Sequence, residues 1–335
     1  MITGFARILV AVGALTFAGR ALAADAVDFK GKVIRIVVGT APGGLYDQHA
    51  RLMARYIGKY LPGDPTVLVE NMPGAGSLKD ALYIYNVAPK DGTVLAVINR
   101  GMAIGPLMDP KKNAFDSRKF NWLGSTSKEV AVGVTWHTAP VKTFDQLQTT
   151  EAILGATGPT DDSGALPTLI NTLFHTKIKI ITGYTGGSNI VLAMEKGEVQ
   201  GRFWSWGSVK SERSQWLVDK KINLFVQVGL EKAPDLPETP FIMDYAKTDE
   251  QRQVLKLALV GQSFAWPMTA PPGAPKPVVA ALRKAYGEAA NSPQLLADGK
   301  RAKLSIIYVP GEEINRLIDQ VYETPPAVIA KARAI

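Results

Sequence analysis

The groups in this sequence best suited to chemistry are backbone amides presented by glycine-rich turns. Three times a β-branched run leads through such a turn into a helix-patterned segment. Val33-Ile34-Arg35-Ile36-Val37-Val38 leads into Gly39-Thr40-Ala41-Pro42-Gly43-Gly44, Val67-Leu68-Val69 into Asn71-Met72-Pro73-Gly74-Ala75-Gly76, and Ile178-Lys179-Ile180-Ile181 into Gly183-Tyr184-Thr185-Gly186-Gly187-Ser188. The first turn of a helix leaves about four amide donors unpaired beside a partial positive charge, and glycine allows close approach and positive φ. Such a turn holds an anion without reacting with it. Chain reversal in any α/β domain also favours glycine here, so no single turn separates the two readings. None of the three has P-loop spacing, and the first lacks G-x-G-x-x-G, which disfavours nucleotides.

The side chains ask for no catalysis. His49, His137 and His175 form no H-x-x-x-H or H-E-x-x-H pair, and His49, four residues after Leu45 in a helical pattern, is explained by packing. Trp136-His137-Thr138 follows a strand and could face a cleft. Asp161-Asp162-Ser163 places adjacent acids before a helix, which suits capping better than flanking a glycosidic bond from opposite sides. No G-x-S-x-G elbow presents a serine, so a secreted hydrolase or lyase has no motif behind it. Two arginines stand out, Arg100 in Asn99-Arg100-Gly101-Met102 and Arg202 in Arg202-Phe203-Trp204-Ser205-Trp206. A guanidinium can grip a carboxylate through two parallel hydrogen bonds, and tryptophan can wall an aromatic or apolar body. Either arginine could equally be solvated or paired with a structural acid, and tryptophans fill cores more often than pockets.

An exported, layered chain must position these groups. Residues 1–23 read as a secretory signal, with Arg7, an apolar stretch over residues 8–18, and Ala21-Leu22-Ala23 as the cleavage pattern. The apolar stretch is shorter than the about 20 residues a membrane span requires. The mature protein is expected to begin near Ala24, soluble and exported. Cleavage removes Arg7 and Arg20, so 38 basic residues become 36 against 30 acids, a mature charge of +6. The cations are dispersed among acids, which argues against nucleic acid and suits weak attraction of anionic ligands. The absence of cysteine excludes disulfides and thiolate chemistry. About 310 mature residues exceed what one core supports, so two domains are expected.

Further strand-like runs fall at 94–98, 130–134, 152–154, 224–228 and 263–266. Helical patterns fall at 45–60, 77–86, 164–174, 188–196, 275–290 and 311–322. This alternation predicts α/β layers with mainly parallel sheets.

An ordered series of motifs now carries a family resemblance. Ala41-Pro42-Gly43-Gly44 with Asp47 and Arg51, then Val69-Glu70-Asn71-Met72-Pro73-Gly74-Ala75-Gly76, then Ala88-Pro89-Lys90-Asp91-Gly92-Thr93 resemble the opening of the Bug family. These are the substrate-binding proteins of tripartite tricarboxylate transporters. Gly155-Ala156-Thr157-Gly158, Gly183-Tyr184-Thr185-Gly186-Gly187-Ser188, Gly197-Glu198-Val199, Ala233-Pro234-Asp235-Leu236-Pro237-Glu238-Thr239-Pro240 and Ala270-Pro271-Pro272-Gly273 extend the series over essentially the whole mature chain.

The resemblance implies a two-lobed α/β periplasmic binding fold, a type II-like Venus flytrap with each lobe a mixed sheet flanked by helices. Residues 24–127 and 263–335 would form lobe one and residues 128–262 lobe two. It implies capture of a small carboxylate-bearing molecule, a di- or tricarboxylate or an aromatic acid, without catalysis, cofactor or metal. Delivery would be to a membrane permease, or in some members a report to a sensor kinase, and a monomer is expected. On this reading Gly43, Gly44, Leu45, Tyr46 and Asp47, with Gly74, Ala75, Gly76 and Ser77, bring amides to the ligand from lobe one. Asp47 would orient the first loop or a water, since like charges repel. Thr157, Gly158, Gly187 and Ser188 would answer from lobe two.

The stretches at Arg100 and at 202–206 depart from the family pattern. Arg100, Arg202 and Trp204 are therefore also expected at the ligand, with a preference for an acid bearing an aromatic or sizeable apolar body. Trp204→Ala is expected to weaken binding with little loss of fold.

Overall fold

The structure, a computed structural model, describes residues 27–158, 162–184 and 186–335. The expected signal at 1–23, Asp161 and Thr185 lie outside the described residues. Among the described residues eleven strands alternate with helices: β1 (Val33–Val38), β2 (Thr66–Asn71), β3 (Val94–Val97), β4 (Asn121–Ser125), β5 (Ala131–Trp136), β6 (Ala152–Gly155), β7 (Ile178–Ile181), β8 (Gly201–Ser205), β9 (Ile222–Val228), β10 (Pro267–Ala270) and β11 (Val309–Pro310). They build two sheets, one in the order β11-β4-β10-β3-β1-β2 and one in the order β7-β6-β8-β5-β9. The chain changes sheet between Ser125 and Ala131 and again between Val228 and Pro267.

The first sheet is covered on both faces, which is why β1 reads as a nearly continuous apolar run. Ile34, Ile36 and Val38 pack with Leu52, Met53 and Ile57 of helix Leu45–Ile57 and with Leu282 and Tyr286 of helix Lys276–Ala290. Val37 and Ala96 belong to the opposite core, with Ile84 of helix Leu78–Asn86 and Ile314 and Ile318 of helix Gly311–Tyr322. Helix Pro326–Arg333 lies against helix Asp249–Leu259, whose start is fixed by a capping box between Thr248 and Gln251.

Both sheets are mixed, as the resemblance implied, which corrects the expectation of mainly parallel pairing drawn from the alternation of elements. β1 runs parallel to β2 and β3, but β10 is antiparallel to β3 and β4, and β11 to β4. In the second sheet β6 runs parallel to β7 and β8, while β5 is antiparallel to β8 and β9. A second correction concerns 263–266. Val260–Phe264 is a short 3-10 helix, and the strand begins at Pro267. The apolar residues there are buried as a strand's would be, and a four-residue run carries too little periodicity to separate the two. Among the described residues no helix is long and apolar enough to cross a membrane.

Candidate functional site

A cavity of about 850 Å³ lies between the two sheets, walled by the segments that follow β3, β6 and β7 and by β8. It occupies the crevice outside the carboxyl ends of parallel strands, where α/β sheets place their ligands.

On the first wall, Asn99 ends the β3 segment and shapes the turn Arg100–Ala103. Its side-chain oxygen accepts from the Gly101 amide at 2.8 Å, and its own amide donates to Ser77 Oγ at 3.0 Å. The Arg100 amide donates to the Tyr46 hydroxyl at 3.1 Å. The wall is thereby tied to both glycine turns of the first sheet. The Arg100 guanidinium reaches across to Asp162, at the start of helix Asp162–Phe174, and its centre lies 5.8 Å from the Trp266 ring. Burial works against the Arg100 charge, but Asp162, Tyr46 and Glu129 outweigh it and hold the guanidinium's pKa above its ordinary value. Glu129 itself is pushed up by burial, and it accepts from Ser205 Oγ. Tyr46 is likewise raised by burial and meets Trp266 edge to face at 4.6 Å.

The second wall carries Arg202 and Trp204, two residues apart on β8 and therefore on one face. Arg202 is 6% exposed, donates from Nη1 to the Gly187 carbonyl at 2.8 Å and from Nε to the Phe203 carbonyl at 3.2 Å, and lies 4.7 Å over the Trp204 ring. Its contact with Gly187 anchors the third glycine turn to β8. Ser163 Oγ accepts from the Thr157 amide at 3.0 Å.

Of the expected residues, Tyr46, Arg100, Thr157, Gly187, Ser188, Arg202 and Trp204 line the cavity, whereas Gly43, Gly44, Leu45, Asp47, Gly74, Ala75, Gly76, Ser77 and Gly158 do not. Gly43 donates its amide to Asp47 at 2.9 Å, so that donor is committed within its own turn. Asp47 also accepts from Arg51 and Asn71, each at 2.9 Å, and so knots the first turn to the end of β2. Burial would raise the Asp47 carboxyl, but the bonds from Arg51, Gly43 and Asn71 hold it below the usual carboxylate range. The second turn is a run of positive φ, +154° at Gly74, +47° at Ala75, +64° at Gly76 and +83° at Ser77. Ala75 and Ser77 hold that conformation against the steric cost of a Cβ.

Sequence reasoning did not single out Gln262 or Trp266, or see that Asp162 would oppose Arg100. Gln262 and Trp266 both line the cavity and are over nine-tenths buried. Among the described residues, Gln262 Oε1 and Trp266 Nε1 have no hydrogen-bond partner. His49 is packed: its Nδ1 lies 2.8 Å from Thr126 Oγ1, its ring stacks on Trp266 at 5.3 Å, and burial depresses its pKa to about 3.

No protein-family model matches the chain. A Cupriavidus necator protein named "UPF0065 protein in gbd 5′region" is 40% identical over 93 residues, a stretch that spans 28% of this chain and 28% of that protein. Three solved structures share the fold over nearly their whole length. The periplasmic binding protein BugD superposes with a TM-score of 0.63 at 19% identity, covering 90% of this chain and 97% of that one. A TctC solute-binding protein from Polaromonas gives 0.69 at 17% identity, covering 89% and 98%. MatC from Rhodopseudomonas palustris with bound malate gives 0.64 at 20% identity, again covering 89% and 98%. This chain thus has the two-lobed α/β fold of the periplasmic solute-binding proteins that BugD and TctC represent.

Proposed function

We propose that this chain is a Bug-type solute-binding protein of the periplasm. In this reading it captures a small carboxylate-bearing molecule, a di- or tricarboxylate or an aromatic acid, and hands it to the membrane permease of a tripartite tricarboxylate-type transporter. The observation that carries the reading is the pair of arginines brought to one cavity, Arg100 from the turn after β3 of the first sheet and Arg202, 6% exposed, from β8 of the second. Malate bound in the similar MatC supports the ligand class. The ligand carboxylate takes the place of Asp162 at Arg100, and Trp266 Nε1 supplies a further donor. The amides of Gly187 and Ser188 and the turns at 43–47 and 74–77 complete the site on closure. Lobe one comprises 24–127 and 263–335 and lobe two 128–262, joined as a hinge, and the mature monomer begins after Ala23. It works by binding and release, without a chemical step.

A thermal-shift screen with carboxylates tests this. A ligand at about 100 times its Kd adds about 2.7 kcal/mol of stability. Stabilisation by one acid, recovered unchanged after incubation, is expected. Conversion of that acid, or no shift with any di-, tri- or aromatic carboxylate, overturns the reading.

A further inference from the structure

The walls of the cavity change character together along its length. On the first wall, Arg100 is followed at four-residue steps by Ile104 and Met108. On the helix opposite, Asp162 is followed by Leu166 and Leu169, at i+4 and i+7 on one face. The third wall runs the other way in sequence, from Gln262 back to Ala258 and Leu257. Helix Pro326–Arg333 seats Ala332 against this end. All three walls therefore start from a charged or amide side chain and end in apolar ones. From Asp162 to Leu169 the helix climbs about 10 Å at about 1.5 Å per residue. The cavity of about 850 Å³ lies in the range of small-molecule sites.

We propose that the ligand is an amphipathic monocarboxylate. Its acid end sits at Arg100 beside Trp266, and its tail, a medium-length alkyl chain or an arylalkyl group, fills the chamber between Met108, Leu169, Leu257 and Ala332. The proposal rests on the reading of this cleft as a carboxylate site and narrows its ligand class. An extended diacid whose first carboxylate sits at Arg100 would carry its second charge toward Leu166, Leu169 and Leu257, where a buried charge without a partner is disfavoured, while Arg202, the cavity's other arginine, is held at β8 by the Gly187 and Phe203 carbonyls. Met108 gives the chamber a flexible side chain that adapts to tail shape.

Calorimetric titration of the mature protein with butyrate, hexanoate, octanoate and 4-phenylbutyrate, alongside succinate and malate, tests the assignment. Kd is expected to fall about three- to fourfold per added methylene until the chamber is full. Ala258 is an exposed residue of the chamber wall, and Ala258→Phe is expected to reduce octanoate affinity about tenfold more than butyrate affinity. Flat or rising Kd from butyrate to octanoate, with malate or succinate binding, overturns the amphipathic ligand and leaves the carboxylate site standing. Equal weakening of butyrate and octanoate by Ala258→Phe also overturns it, because the length dependence would then arise elsewhere. If no acid of either series binds, the carboxylate reading falls with it.

Discussion

Asp162→Asn separates what the cross-cavity ion pair does for the empty protein from what it does to a ligand. Arg100 is 15% exposed and Asp162 40% exposed, so the pair is half screened by solvent on its acidic side. A hydrogen bond between charged groups contributes about 1.5–3 kcal/mol, and the exposure of Asp162 discounts this toward about 1 kcal/mol. An acid at a helix N-terminus adds about 0.3–1 kcal/mol more, so the variant is expected to lose about 1–2 kcal/mol in total. For a chain of this size that lowers the melting temperature by about 2–3 °C. Ligand binding responds with the opposite sign. In the native protein a carboxylate must displace Asp162 before it reaches Arg100, and in the variant that step is gone. A gain of about 1 kcal/mol corresponds to about fivefold tighter binding. Differential scanning fluorimetry reads the first effect and calorimetric titration the second. Arg100→Met serves as the control and is expected to weaken binding in either background. If Asp162→Asn weakens carboxylate binding, Asp162 holds the ligand instead of competing with it, and the exchange at Arg100 is refuted.

Two further predictions follow from buried groups. Burial pushes Asp80 up to about 8, and neither of its carboxylate oxygens has a hydrogen-bond partner among the described residues. Its folded pKa lies above its ordinary value of 3.8, so its contribution is full below about pH 4 and is lost as pH rises toward 8. Asp80→Asn is expected to flatten that slope, raising the melting temperature at pH 8 relative to pH 4; identical pH profiles for the two proteins would contradict it. Trp204 is 7% exposed and packs edge-on to Trp216 at 6.4 Å within the core of the second sheet. Trp204→Ala is therefore expected to cost about 3–5 kcal/mol in urea unfolding, more than the sequence alone suggested. A loss below about 1 kcal/mol would show that the ring serves the cavity alone.

The elements that were legible in the sequence are those whose burial follows one period. Helix Leu45–Ile57 buries His49, Leu52, Met53 and Ile57, and β1 buries alternating and then consecutive residues because helices cover both of its faces. β11 was not legible, since two residues carry no period. Helix Asp249–Leu259 hid behind its charged face, although Thr248 and Gln251 had the spacing of a capping box. The site divides in the same manner. Arg100, Arg202 and Trp204 stood out because the stretches that carry them depart from the family pattern the rest of the chain resembles. The partnership of Arg100 with Asp162 joins positions 62 residues apart, one in the turn after β3 of the first sheet and the other opening a helix of the second, and no local pattern encodes it. Gln262 lies in a 3-10 helix that continues through Ser263 and Phe264, where a strand was expected, and Trp266 follows that helix just before β10.

The order β11-β4-β10-β3-β1-β2 also sets the sequence in which the molecule can assemble. β5 through β9 form the second sheet from one continuous stretch, so it can close on itself as soon as that stretch exists. The first sheet cannot. Among the described residues β4 pairs with β10 and β11, and β10 is the strand that joins it to β3. A keystone supplied so late makes the closing contacts highly non-local, which slows folding and lengthens the time that β3 presents an unpaired edge. Chains cut short before Pro267 would strand β4 without a neighbour and leave that edge open, so loss of the tail should produce aggregation, not merely an incomplete cleft.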